Sequence, residues 1–196
     1  MYSMFPIVFT LLAISGNFPS PEFSPYHHSN FAGMKQDTIV QPRIEMELTR
    51  IDEMQILFIP DTALSTAALA DVLGKAYGEI MQCAGQNKLQ PKRFMAWYHT
   101  QRPPWIVDVA VEMDRIPNQV TGRIRSRIQK GGQVVIAHMW GPYEKLSAAY
   151  EAIGDWLKRN EKIARDKPFE VYLNDPKTVS DPSEIRTDVY QFIQQH

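Results

Sequence analysis

The sequence predicts an α+β fold: a duplicated βαββ module, with an antiparallel sheet carrying two helices on one face and a ligand groove on the other. Three observations predict it. Short runs at 44–48, 133–139 and 169–173 have the twofold period or apolar character of strands. Two longer segments, 64–81 and 143–160, place apolar residues at spacings of three and four, the signature of amphipathic helices. The order strand, helix, strand, strand then occurs twice, over about 44–113 and 123–193.

The elements follow in order. An alternating strand at 44–48 continues as an apolar extended stretch to Ile59, where Pro60 and Asp61 break it. In the first helix Leu69, Val72, Leu73, Ala76, Tyr77, Ile80 and Met81 form one stripe, and Gly85 stands where a helix stop belongs. Strands at 94–99 and 105–113 flank the turn Arg102-Pro103-Pro104. The stretch 117–132 carries Arg123, Arg125, Arg127 and Lys130 and reads as a polar, solvated connection. The second round has a strand at 133–139, the turn Gly141-Pro142, a helix at 143–160, and strands at 169–173 and 185–193. The second helix presents Leu146, Ala149, Tyr150, Ile153, Trp156 and Leu157 on one stripe, so Tyr143 and Trp156 read as core. Aligned half on half, Phe94 lies over Phe169, Trp97 over Tyr172 and Asp108 over Asp188. Each half is too small for a stable core alone, so the two should share one sheet.

Composition bounds the function. With 196 residues, 44% hydrophobic, the chain can bury one sizeable core. A net charge of −1 gives no basic footprint, which argues against direct nucleic-acid binding. The lone Cys83 excludes an intrachain disulfide and a CxxC site, and reads as a small buried hydrophobe of a reducing, cytoplasmic setting. Residues 1–41 are expected to lie outside the fold, and 42–196 to form the domain. The apolar run at 4–14 is too short for a stable membrane span and has no basic residue before it. It is either an export signal within 1–20 or, on a slightly favoured reading, sequence upstream of a true start at Met34.

Three short motifs carry a family resemblance: Gly141-Pro142-Tyr143-Glu144, then 168–176 (Pro-Phe-Glu-Val-Tyr-Leu-Asn-Asp-Pro), then Arg186-Thr187-Asp188-Val189-Tyr190. With the duplicated βαββ pattern, these resemble the GyrI-like small-molecule-binding family, the effector-binding module of AraC-type and MerR-type regulators. The resemblance covers about 44–193. It implies a stand-alone effector-binding protein without a DNA-binding domain, bacterial and regulation-related, and it implies that Glu170 is the acidic centre of a multidrug pocket. A similar duplicated architecture is known in SOUL-type haem-binding proteins, so the fold does not fix the ligand.

Strand alternation suggests how a site could form. If Phe169, Val171 and Leu173 meet the helices, Glu170 and Tyr172 face the open side of the sheet. Val189 and Ile193 toward the helices put Asp188, Tyr190 and Phe192 on that open side, beside Met95, Trp97 and His99. The expected ligand groove is therefore Glu170, Tyr172, Trp97, Met95, Tyr190, Phe192 and His99, a carboxylate among rings that suits an amphipathic or cationic aromatic molecule. The plainer alternatives are an ion pair of Glu170 with an arginine of the 123–127 segment, and core packing for Trp97, Tyr190 and Phe192. A second reading, also implied by the family, is hydrolysis of reactive cyclopropyl-type genotoxins, with Glu170 as base and Tyr190 holding the substrate. A third is a gyrase-inhibitor-like protein, with gyrase or a regulator as partner. No cofactor or metal is expected: the five histidines, His27, His28, His99, His138 and His196, make no ligand spacing, and Gly131-Gly132 is no phosphate loop.

Overall fold

The computed structural model describes residues 41–176 and 178–194. The expectations placed on 1–40, including the apolar run, the Met34 start, His27 and His28, lie outside the described residues, as does His196. Among the described residues, eight strands and two α-helices run in the order β1 (Arg43–Ile51), β2 (Met54–Ala63), α1 (Thr66–Gln86), β3 (Pro91–Tyr98), β4 (Trp105–Met113), β5 (Arg125–Gln129), β6 (Gly132–Trp140), α2 (Ser147–Arg159), β7 (Phe169–Tyr172) and β8 (Arg186–Phe192). All eight strands join one antiparallel sheet in the order β1-β6-β8-β7-β3-β4-β2-β5. Read from either end, that order is the same under exchange of the two halves, with β3 and β7 side by side at the centre. No helix among the described residues is long and apolar enough to cross a membrane.

Both helices pack on one face, as the stripes require. α1 starts at Ser65, whose hydroxyl accepts from the Ala68 N–H as an N-cap. Its stripe buries Leu73, Ala76, Tyr77 and Ile80 against Leu57, Ile59, Val107, Val109 and Val111. α2 is shorter than the expected helix because Tyr143–Lys145 form a separate 3-10 turn. It buries Ala149 and Ile153 against Val135, Ala137, Met139 and Val189.

The stretch expected to be a solvated connection contains β5, which pairs with β2 at the sheet edge. Its alternation is polar, so it carries no hydrophobic period. Arg127 supplies the inward contact instead: its guanidinium lies 4.4 Å from the Trp97 ring centre and 4.6 Å from that of Phe58, 2.9 Å from an Asp108 oxygen. The Gly131-Gly132 pair has a steric reason. A Cβ at Gly131 would come within 2.5 Å of the Ile51 carbonyl oxygen, so only glycine lets the β5–β6 turn pass the β1–β2 turn.

The face away from the helices is not an open groove. Met54, Ile56, Met95, Trp97, Ala110, Val134, Ile136, Phe169, Val171, Tyr190 and Phe192 form a second core there. Phe169 stacks between Trp97 and Tyr190, with ring centres at 4.5 and 5.0 Å. Trp97 and Tyr190 keep only 6% and 8% of their surface exposed, and the half-buried Phe58 packs against this core. The carboxylates on this face are each paired: Asp108 with Arg127, Glu112 with Arg93, Asp188 with His138.

Candidate functional site

The open space lies on the helix side. α1 packs on β2 and β4, and α2 on β6, β1 and β8, so β3 and β7 lie beneath the gap between the helices. A gap over two strands spans roughly 10 Å, enough for an aromatic ring and its contacts. A cavity of about 690 Å³ fills it. Leu69 and Leu73 of α1 form one wall, Leu146 and Tyr150 the other, and Tyr98, Glu170 and Tyr172 lie at the inner end.

Glu170 and Tyr172 therefore face the helices, the reverse of the expected orientation. The β3–β7 register gives the reason. Phe94 pairs with Tyr172 and Ala96 with Glu170, so the local twofold between the strands relates Phe94 to Glu170. The alignment that matched Phe94 with Phe169 is one residue out of step, and a one-residue slip exchanges the two faces of a strand. Phe94 meets Tyr77 on the helix side, while Phe169 joins the opposite core.

Glu170 is 5% exposed. Tyr150 donates to its Oε1 at 2.7 Å and Tyr172 to its Oε2 at 2.6 Å, and the Tyr98 and Tyr172 hydroxyl oxygens are 3.2 Å apart. Burial pushes the Glu170 carboxyl up, and the Tyr172 and Tyr150 hydrogen bonds pull it only part of the way back. The same burial, reinforced by the Glu170 charge, raises Tyr98, Tyr143, Tyr150 and Tyr172, so these phenols stay protonated at neutral pH. Tyr143 packs edge-on against the Tyr172 ring at 5.9 Å. At the mouth, Lys167 Nζ lies 3.5 Å from His99 Nδ1, and His99 Nε2 lies 3.3 Å from Asp108 Oδ1.

Residues 45–192 match the GyrI-like small molecule binding domain. The chain belongs to that family. Against curated protein sequences the chain finds no match. Among solved structures, this GyrI-like domain is similar to EcmrR in its DNA complex, with a TM-score of 0.69 and 17% identity over 78% of this chain. It spans 58% of the length of that EcmrR chain. It is also similar to a hydrolase from Listeria innocua (TM-score 0.61, 14% identity, 82% of this chain and 97% of that one). A third likeness is to SAV2435 bound to tetraphenylphosphonium (TM-score 0.50, 8% identity, 76% and 94%). At these identities the likenesses speak to fold alone.

Of the seven residues expected to form the GyrI-like ligand site, Glu170, Tyr172 and His99 line the cavity. Met95, Trp97, Tyr190 and Phe192 sit together across the sheet, packed around Phe169. The sequence reading missed Tyr98, Tyr143 and Tyr150, the last two having been counted as helix stripe and core. A usable signal was present: Tyr143 and Tyr150 are seven residues apart, two turns of the helix expected over 143–160, although the structure places Tyr143 in the 3-10 turn ahead of α2. The alternative ion pair for Glu170 is not formed, since Arg123 pairs with Asp61 and Glu79, and Arg127 with Asp108. Among the described residues no cluster of His, Cys, Asp and Glu could hold a metal ion.

Proposed function

We propose that this domain is a receptor for amphipathic, cationic aromatic small molecules, held between α1 and α2 with the positive charge toward Glu170. The observation that carries the reading is a carboxyl buried at the inner end of an apolar, tyrosine-walled cavity, with hydrogen bonds from phenols and, among the described residues, no ion pair. Holding a buried carboxylate without a counterion costs several kcal/mol, only partly offset by two hydrogen bonds. A cation entering the cavity supplies the missing charge, and each aromatic face adds about 0.5–2 kcal/mol. The volume of about 690 Å³ suits a drug-sized ligand. Titration with tetraphenylphosphonium, followed by the fluorescence of cavity-lining Trp105, tests the reading. Saturable binding, weakened at least about tenfold in Glu170→Gln, is expected. Absence of saturation, or equal affinity in the variant, refutes it.

A second reading is hydrolysis in the same cavity, favoured by the raised Glu170 carboxyl, which makes its conjugate base a stronger proton acceptor. Tyr190 lies across the sheet, so any assisting hydroxyl comes from Tyr98, Tyr150 or Tyr172. Incubation with a strained cyclopropyl alkylating compound would yield the ring-opened alcohol. Recovery of unchanged compound from folded protein speaks against it.

A further inference from the structure

We propose that the inner end of the cavity recognises N–H donors, so that among amphipathic cations it selects protonated amines and amidines over quaternary ions of the same shape. The inference rests on the receptor reading above and narrows its ligand class.

A phenol has one hydrogen and can donate once. With Glu170 ionised, the Tyr150 hydrogen lies on Oε1 at 2.7 Å and the Tyr172 hydrogen on Oε2 at 2.6 Å. The Tyr172 hydroxyl, 3.2 Å from that of Tyr98, can then only accept, so Tyr98 donates to it. The direction of the chain is fixed: Tyr98 to Tyr172 to Glu170. Neighbouring donors are similarly engaged. The Trp105 indole N–H donates to the Thr66 hydroxyl at 3.2 Å, and the Thr100 hydroxyl donates to the Pro104 carbonyl at 2.8 Å. At the Glu170 carboxylate and the Tyr98, Tyr150 and Tyr172 hydroxyls, a ligand therefore meets lone pairs and ring faces, acceptors whose own hydrogens are already spent.

Three ligand types then separate. A neutral ester or ketone puts an acceptor against acceptors. A quaternary ammonium gains the charge and ring attraction but makes no hydrogen bond. A protonated amine gains both, and one charge-assisted hydrogen bond corresponds to about a tenfold gain in affinity or more. Exchanging Glu170 for glutamine removes the charge and introduces two N–H donors, which forces at least one phenol to turn its hydrogen away from position 170.

The test is a matched pair, (naphthylmethyl)dimethylammonium and (naphthylmethyl)trimethylammonium, titrated into the full chain by calorimetry at neutral pH. The tertiary ammonium should bind about tenfold tighter. In Glu170→Gln this lead should shrink to about twofold or less, and in Tyr98→Phe, which keeps the carboxylate and both its donors, most of the lead should persist. If wild-type protein binds the two ions equally, or the quaternary ion more tightly, the donor preference is overturned and the receptor reading stands. If neither ion binds, both are overturned. The wild-type comparison decides the matter even where a variant fails to fold.

Discussion

Truncation of Phe169 to alanine separates a filled second core from an open groove. Phe169 is fully buried, stacked between Trp97 and Tyr190 with ring centres at 4.5 and 5.0 Å, and 6.0 Å from Phe192. Losing roughly 150 Å² of buried apolar surface costs about 4 kcal/mol, and each stacked pair contributes about another 0.5–1.5 kcal/mol. Partial collapse of the surrounding rings recovers some of this, so a loss of about 3–5 kcal/mol is expected, in line with Phe→Ala changes in well-packed cores. Equilibrium denaturation in urea measures it as a lowered midpoint at unchanged slope. A ring lining a water-filled groove would cost little when removed. A loss below about 1 kcal/mol would refute the description of that face as core.

Other outcomes follow from the charged groups. Arg127→Met should lower stability by about 2 kcal/mol in the same denaturation assay, because Asp108, 8% exposed, is left without the guanidinium beside it. An unchanged midpoint would show that Arg127 does not hold β5 in place. Burial raises the Glu170 carboxyl, so the folded protein holds that proton to higher pH than the unfolded chain does. The stability from this group is thus fully present below the ordinary value of 4.5 and is lost as pH rises through the raised one. Glu170→Gln should flatten that part of a stability–pH curve; an identical slope in both proteins contradicts the shift. Burial opposes the charge on His138, but Asp188 and Glu47, each 3.0 Å away, outweigh it and raise its value. Its contribution is present below 6.5 and lost as pH climbs through the raised value, so His138→Gln should lack an alkaline-side loss that wild-type protein has. NMR titration of the His138 ring checks the direction independently.

The helices were legible because each has one buried stripe, and so were β4 and β8, where Val107, Val109, Val111 and Val189 mark the helix side. The site was only half legible, for a reason rooted in β7. That strand is buried on both faces, so its alternation of Phe169 and Val171 with Glu170 and Tyr172 does not say which pair meets the helices. Assigning the apolar pair to the helix side assumed that the helices cover the whole sheet. They diverge over the central strands instead, and the space between them is where the polar pair belongs. β5 escaped notice because its inward residue is an arginine, whose stacked guanidinium does what an apolar side chain does elsewhere. Of the seven residues expected in a groove on the far face, Met95, Trp97, Tyr190 and Phe192 do cluster there, but as packed core, while Glu170, Tyr172 and His99 line the cavity between the helices. The far-face side chains fill the space they were expected to line.

A co-crystal structure with tetraphenylphosphonium bears most directly on where this domain takes its ligand. Density for the cation should lie between Leu69 and Leu73 on one side and Tyr150 on the other, with the positive centre within about 6 Å of a tyrosine ring and facing Glu170. A cation seated instead against Trp97 and Tyr190, or a cavity that stays empty at saturating ligand, would contradict the assignment.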